Sequence, residues 1–501
     1  MIDLERKLVE YGERANSLLA PITLDEIRTV ATTLPAEPAS ASDAGVLETV
    51  PPAPARHVHR AVWVAVAAAL VVLAFFLPTL FNDQQPDVID NSIPPTPTVP
   101  VTSLPLTTVP TSVPAMSEAE RVEAWSEDLD FLVASLESVH PDPYWRVGEA
   151  GFVAQVAAIR DVLADSTDDE IEFDLMRLMA QIDGHTMVNP DVEPVNLFRS
   201  AFQIYKFSDG HYVVQSFFSG GLVGMRLKQI MFRYMDTVSN ATAAYVSYDN
   251  TQTLRSRVPR YLMMTDLLRD SGVSTRTDTV FTFARGGGSL MVPVGMMRRA
   301  GAQWIAPGTG LPTGFGEVSA EGWDRALWWR SLPESGAMFV GFNSGEADTT
   351  GVVAELEERL AGEPVGRIVV DLRRNQGGDP AWFASMADFL VDQAADGVTV
   401  LCLIGRDTFG EAVGFVADIE DNVVLVGEGT GGSPNFFGDP VVVTLPNSGI
   451  EVLISSRYFE YGGSGETRDM IEPDVPVSVS STDYFEGVDP VLDAALAYQP
   501  G

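Results

Sequence analysis

The sequence predicts an α/β protein in which a C-terminal α/β core follows a β-rich segment, a helical segment and one transmembrane helix. Three observations carry this. From about Glu321 onward, strand patterns (Met338 to Phe342, Ile368 to Leu372, Val398 to Ile404, Val423 to Val426) alternate with helical ones (Val352 to Ala361, Trp382 to Ala394, Ala412 to Ile419), the signature of an α/β core. Upstream, Trp125, Leu129, Leu132 and Leu136, then Phe152, Val156, Ile159 and Val162, recur at helical spacing. Ala61 to Phe81 contain no charged residue, and a helix of that length spans the roughly 30 Å hydrocarbon layer.

The implied boundaries are a cytoplasmic segment 1–60, a membrane span 61–81, a stalk 82–117, a helical cap 118–197, a β-rich segment 198–320 and the core 321–498. Arg56 and Arg60 precede the span while Asp83, Asp87 and Asp90 follow it, so the positive-inside rule puts the N-terminus in the cytoplasm. The expected location is thus the cell membrane, single-pass, with the main domain extracytoplasmic. The stalk is rich in Pro and Thr, including Pro94-Pro95-Thr96-Pro97, and favours extended polyproline conformations. In the β-rich segment, runs such as Tyr212 to Val214 and Val280 to Phe283 are punctuated by glycines.

Composition excludes several functions. A net charge of −37 argues against nucleic acid, because phosphate binding needs clustered Lys and Arg. The single cysteine, Cys402, permits no intramolecular disulfide and sits in an apolar strand pattern, as an inert core thiol would. His140, His185 and His211 are the only histidines beyond the span and lack zinc spacing. Neither metal nor cofactor is expected.

The most informative stretch runs from Arg367 to Asp379, Arg-Ile-Val-Val-Asp-Leu-Arg-Arg-Asn-Gln-Gly-Gly-Asp. It reads as a buried strand entering a double-glycine turn, whose backbone N–H groups can approach a bound carbonyl closely. Asn-x-Gly-Gly alone is also an ordinary strand-to-helix turn. Asp371, Arg373 and Asn375 at fixed spacing make the string more specific and, with Glu411, join the candidate binding residues.

Four further strings accompany it: Asp183-Gly-His-Thr186, Ile404-Gly-Arg-Asp-Thr-Phe409, Val426-Gly-Glu-Gly-Thr-Gly-Gly432 and Ile471-Glu-Pro-Asp-Val-Pro-Val477. In this order the set resembles the tail-specific, or C-terminal processing, serine peptidases, a family that includes tricorn-like and retinoid-binding relatives. The resemblance covers about Glu118 to Ala497. It implies a ClpP/crotonase-like core with a helical N-terminal cap and a degenerate PDZ-like segment around Leu222 to Val238. It also implies an oxyanion hole at Gly377 and Gly378, and a candidate base at His185, for which a structural, hydrogen-bonded role is equally open.

The departures lie at the reacting groups. Where the family carries Thr-x-Ser-x-Ala-Glu, this chain reads Thr408-Phe409-Gly410-Glu411-Ala412-Val413, so glycine stands at the nucleophile position. The family's lysine position is Ser433, and no lysine follows Lys228. A Ser–Lys dyad cannot be built in the core. Thr408 and Ser433 are the alternative hydroxyls, each without a sequence-local base. Glu411 is either an acid placed favourably in a first helical turn or one poised in the former active site.

The expected function is therefore a membrane-anchored, non-proteolytic binder of polypeptide tails. The alternatives are a hydrolase with another nucleophile and a transmembrane sensor with a peptidase-like ligand domain. Oligomeric state is not legible in the sequence.

Overall fold

The computed structural model describes residues 116–189, 202–216, 221–275, 279–285, 287–293, 315–346 and 348–500. The expected cytoplasmic segment, the expected membrane span and nearly all of the expected stalk lie outside these residues. Among the described residues no helix is long and apolar enough to cross a membrane.

The cap comprises α1 (Glu118–Val139), α2 (Glu149–Val162) and α3 (Asp168–Met179). Ser117 and Thr167 start α1 and α3 with reciprocal capping boxes to Glu120 and Glu170, satisfying N–H groups that a helix start leaves open. The apolar stripe is buried as its spacing predicts, except that Val162 is exposed and Leu163 fills the inward position. After α3 the chain turns through Ile182 to Thr186 into the short strand β1 (Met187–Val188).

An antiparallel sheet follows. Strands β2 (Phe202–Phe207), β3 (Gly210–Ser216), β4 (Arg226–Ile230), β6 (Val280–Arg285) and β7 (Gly288–Pro293) pair in that order, and β5 (Arg233–Tyr234) pairs with β4. Three helices interrupt it, α4 (Met235–Ala243), α5 (Thr251–Tyr261) and α6 (Thr265–Asp270). The β-rich segment is therefore mixed in composition. Helix α5 escapes the glycine-punctuated strand reading, yet Asn250 announces it by accepting from the Gln252 and Thr253 N–H groups.

The core begins with α7 (Gly316–Glu321) and a six-stranded sheet of order β15-β12-β11-β10-β9-β8: β8 (Leu327–Leu332), β9 (Ala337–Phe342), β10 (Arg367–Asp371), β11 (Thr399–Ile404), β12 (Val424–Gly427) and β15 (Val475–Pro476). All pairs are parallel except β8 with β9. Helices α8 (Thr350–Gly362), α9 (Ala384–Ala395) and α10 (Glu411–Ile419) connect the strands, and α11 (Ser481–Glu486) and α12 (Pro490–Ala497) end the chain. Ile368, Val370, Cys402 and Ile404 enter one apolar cluster, whereas Val369, Leu401 and Leu403 enter another. Both sheet faces are thus covered, which is why these strands read as unbroken apolar runs. Cys402 is fully buried and its thiol is pushed up to about 12 by that burial.

A hairpin of β13 (Asn435–Thr444) and β14 (Glu451–Glu460) links the parts. Its strand β14 pairs antiparallel with β1, Met187 opposite Leu453. The hairpin's Val452 and Ile454 join the apolar core of the cap. This pairing carries the turn after α3 to the edge of the core.

Candidate functional site

The turn after β10 is fastened before it reaches its glycines. Asn375 is fully buried; its Oδ1 accepts from Gly377 N–H at 2.9 Å, its Nδ2 donates to Phe342 O at 3.1 Å and its carbonyl accepts from Phe409 N–H at 3.0 Å. Gly377 has φ +99° and a Cβ there would lie 2.8 Å from Glu411 N. Gly378 has φ +153°, and a Cβ would lie 2.2 Å from Gly345 O. Only glycine permits this approach to α10 and Gly345.

The expectation for the oxyanion donors changes accordingly. Gly377 N–H is consumed by Asn375 and cannot serve. The bridge between Gly345 and Gly378 uses Gly377 O and Asp379 N, leaving Gly378 N–H outside the ladder. At the start of α10, the Ala412 and Val413 N–H groups are taken by Phe409 O and Gly410 O, leaving that of Glu411. The Gly378 and Glu411 N–H groups are therefore available as backbone donors at this corner.

Asp371 and Arg373 belong to the scaffold. Arg373 donates to both Asp371 oxygens and, through Nη1 and Nη2, to both oxygens of Asp489 at 2.7–2.9 Å. All three are buried, and the flanking carboxylates hold Arg373 well above its ordinary value. They pin the turn to α12 and touch no open space.

Gly410 caps α10 with φ +57° and ψ −132°, a backbone that L side chains rarely adopt. A Cβ there would lie 3.1 Å from His185 Nε2 and 3.1 Å from Gln376 O. Histidine and glycine, 225 positions apart by their numbers, thus meet. His185 reaches this place because Asp183 gathers its turn: the carboxylate accepts from His185 N–H at 2.6 Å, Thr186 N–H at 2.7 Å and Ser455 Oγ at 3.1 Å, with His140 Nε2 at 2.7 Å. The imidazole stacks between Phe409, centroids 4.3 Å apart, and Phe436, 5.7 Å. Burial lowers it to about 4, with Asp183 opposing, Arg257 assisting and a hydrogen bond to the Phe437 backbone opposing. It is neutral at physiological pH, and no carboxylate accepts from Nδ1.

Neither alternative hydroxyl faces this imidazole. Thr408 is fully buried, donates to Leu372 O at 2.9 Å and accepts from Gly405 N–H at 3.0 Å. Ser433 Oγ donates to the Asn435 carbonyl and lines a cavity on the side of Phe436. Both protons are committed to carbonyls.

Glu411 is buried beside Gly410, one carboxylate oxygen accepting from Tyr461 O–H and the other without a partner. Burial pushes it up to about 7, the Tyr461 hydrogen bond opposing. Because its folded value is raised above that of the unfolded chain, it favours folding fully below about pH 4.5 and this contribution is lost as pH rises through 7. Glu411→Gln keeps the acceptor for Tyr461, so it is expected to raise the melting temperature at pH 8 and leave it nearly unchanged at pH 4.5. Equal shifts at both pH values would show that Glu411 does not titrate in this range.

Sequence reasoning missed Asp249, whose Oδ1 accepts from Gly184 N–H at 2.7 Å, and the aromatic sandwich around His185. Among the described residues no group of three or more His, Cys, Asp or Glu is arranged to hold a metal.

The fold is similar to that of mature CPAF, with a TM-score of 0.53 at 15% identity over 75% of this chain and 96% of that one. Mature CPAF complexed with lactacystin matches with the same TM-score at 16% identity, over 75% and 98% of the two chains. The photosystem II D1 C-terminal processing protease gives 0.35 at 14% identity over 72% and 96%, too loose a likeness to carry an argument. No family model and no curated protein matches the chain.

Proposed function

We propose, from the premise that the chain has the fold of a tail-specific peptidase, that it is a membrane-anchored, extracytoplasmic relative of those enzymes that binds polypeptide without cleaving it. One observation carries the reading: the Cβ position 3.1 Å from His185 Nε2 belongs to a glycine. A neutral imidazole and two backbone donors surround a place where no nucleophile stands. Loss of a triad nucleophile lowers turnover on the order of 10⁶-fold. The anchoring rests on the uncharged stretch Ala61 to Phe81 and the charges flanking it.

The test is a fluorophosphonate probe on the full-length protein in detergent. No labelling above a heat-denatured control is expected. Stoichiometric labelling that disappears with Ser433→Ala or Thr408→Val would replace this reading with that of an active hydrolase.

A further inference from the structure

Phe436, which stacks on His185, also lines a cavity of about 600 Å³. Trp145, Phe437 and Tyr458 form much of its wall, and Asp249 lies in its lining. While Asp249 Oδ1 accepts from Gly184 N–H, Oδ2 is buried with no hydrogen-bond partner. An ideal Cβ on Gly432 would sit 3.7 Å from that oxygen, so the carboxyl lies beside the loop that carries Ser433. A carboxylate buried without a partner is costly, and the cost is removed if the partner arrives with a ligand.

The protein's own cations do not fill this role. Arg146 lines the cavity, but its guanidinium lies 4.7 Å from the Trp145 ring centroid and 4.9 Å from that of Tyr248, and it donates to Tyr248 O. Arg257 donates to Gly184 O and Ser247 O and lies 4.6 Å from the Phe409 ring centroid. Arg468 is held by Glu420 and Glu466. Asp142 and Asp469 add further carboxylates to the lining, and aromatic faces attract cations.

We propose that this cavity receives a basic side chain, lysine or arginine, of a bound polypeptide, with its charged head on Asp249 and its aliphatic stem against Trp145, Phe437 and Tyr458. This rests on the polypeptide-binding reading and adds the ligand's chemistry to it. Burial, and then the charge of Asp183, push Asp249 up to about 7, while Gly184 N–H, Arg257 and Arg146 oppose. Only the ionised carboxylate pairs with a cation. Affinity for a basic ligand therefore rises with pH through 7 and levels off above it.

The test uses the full-length protein in detergent and two hexapeptide mixtures, randomised at five positions and carrying either lysine or norleucine at the sixth. At pH 8 the lysine mixture is expected to bind at least tenfold more tightly, with the preference shrinking severalfold by pH 6. Asp249→Asn retains the acceptor for Gly184 N–H and should abolish the preference, bringing lysine binding down to the norleucine level. Tyr458→Ala, at an exposed position, should weaken lysine binding a fewfold with folding intact. A lysine preference that survives Asp249→Asn would reflect the chain's overall negative charge and overturn the proposal. Equal binding of the two mixtures would also overturn it while sparing the polypeptide-binding reading; binding of neither would remove both.

Discussion

Gly410→Ser is expected to create fluorophosphonate labelling where the wild type shows none, about 10² to 10⁴ times faster than the same serine without His185, the contribution typical of a positioned general base. The new Cβ would stand 3.1 Å from His185 Nε2, bringing the serine hydroxyl within reach of a neutral imidazole able to take its proton. Gly378 and Glu411 N–H groups would stabilise the resulting oxyanion. Two features limit the gain. The backbone at φ +57° strains a non-glycine residue by roughly 1–3 kcal/mol, so the variant should melt at a lower temperature. His185 is hydrogen-bonded to the Phe437 backbone and no carboxylate sits on Nδ1 to stabilise an imidazolium, so peptide turnover should stay far below that of a triad enzyme. His185→Ala in the Gly410→Ser background should erase the labelling. A folded Gly410→Ser protein that remains unlabelled would refute the assignment of this corner as a former reaction centre.

The second large effect concerns stability. Arg373→Met removes the cation shared by Asp371 and Asp489 and leaves two carboxylates that are only 6% and 5% exposed. Stranding a buried charge costs about 3–5 kcal/mol, to be read as a lower midpoint in urea unfolding. Asp489→Asn should cost less, because an asparagine oxygen can still cap α12 through Leu492 N–H and Arg373 keeps Asp371. A loss below about 1 kcal/mol for Arg373→Met would mean that the trio is not a buried ion cluster.

The parallel core was legible because both faces of its strands are covered, so β9, β10, β11 and β12 lie within a residue or two of their apolar runs. The close approach at Gly377 and Gly378 was legible because it leaves its mark as residue type. Which N–H groups remain free was not, since Asn375 can reach either a side-chain or a backbone partner and only the folded turn decides. The scaffold role of Arg373 was not legible, because its partner Asp489 lies 116 positions away and no local spacing reports such a pair. Asp249 escaped for the same reason: its importance comes from Gly184 and the Gly432 loop, which only tertiary contact brings to it.

The two-residue strand β1 has a temporal consequence. Thr186, next to His185, is tied to Ser455, 269 positions later. A chain emerging from its N-terminus makes the cap helices early from local contacts, but long-range pairings close late. The imidazole is therefore not fixed against Gly410 until β14 has been synthesised and has docked onto β1. Assembly of the site reports that nearly all of the chain from α1 onward has been completed, and a truncated chain ending before β14 would lack it however well its cap were folded.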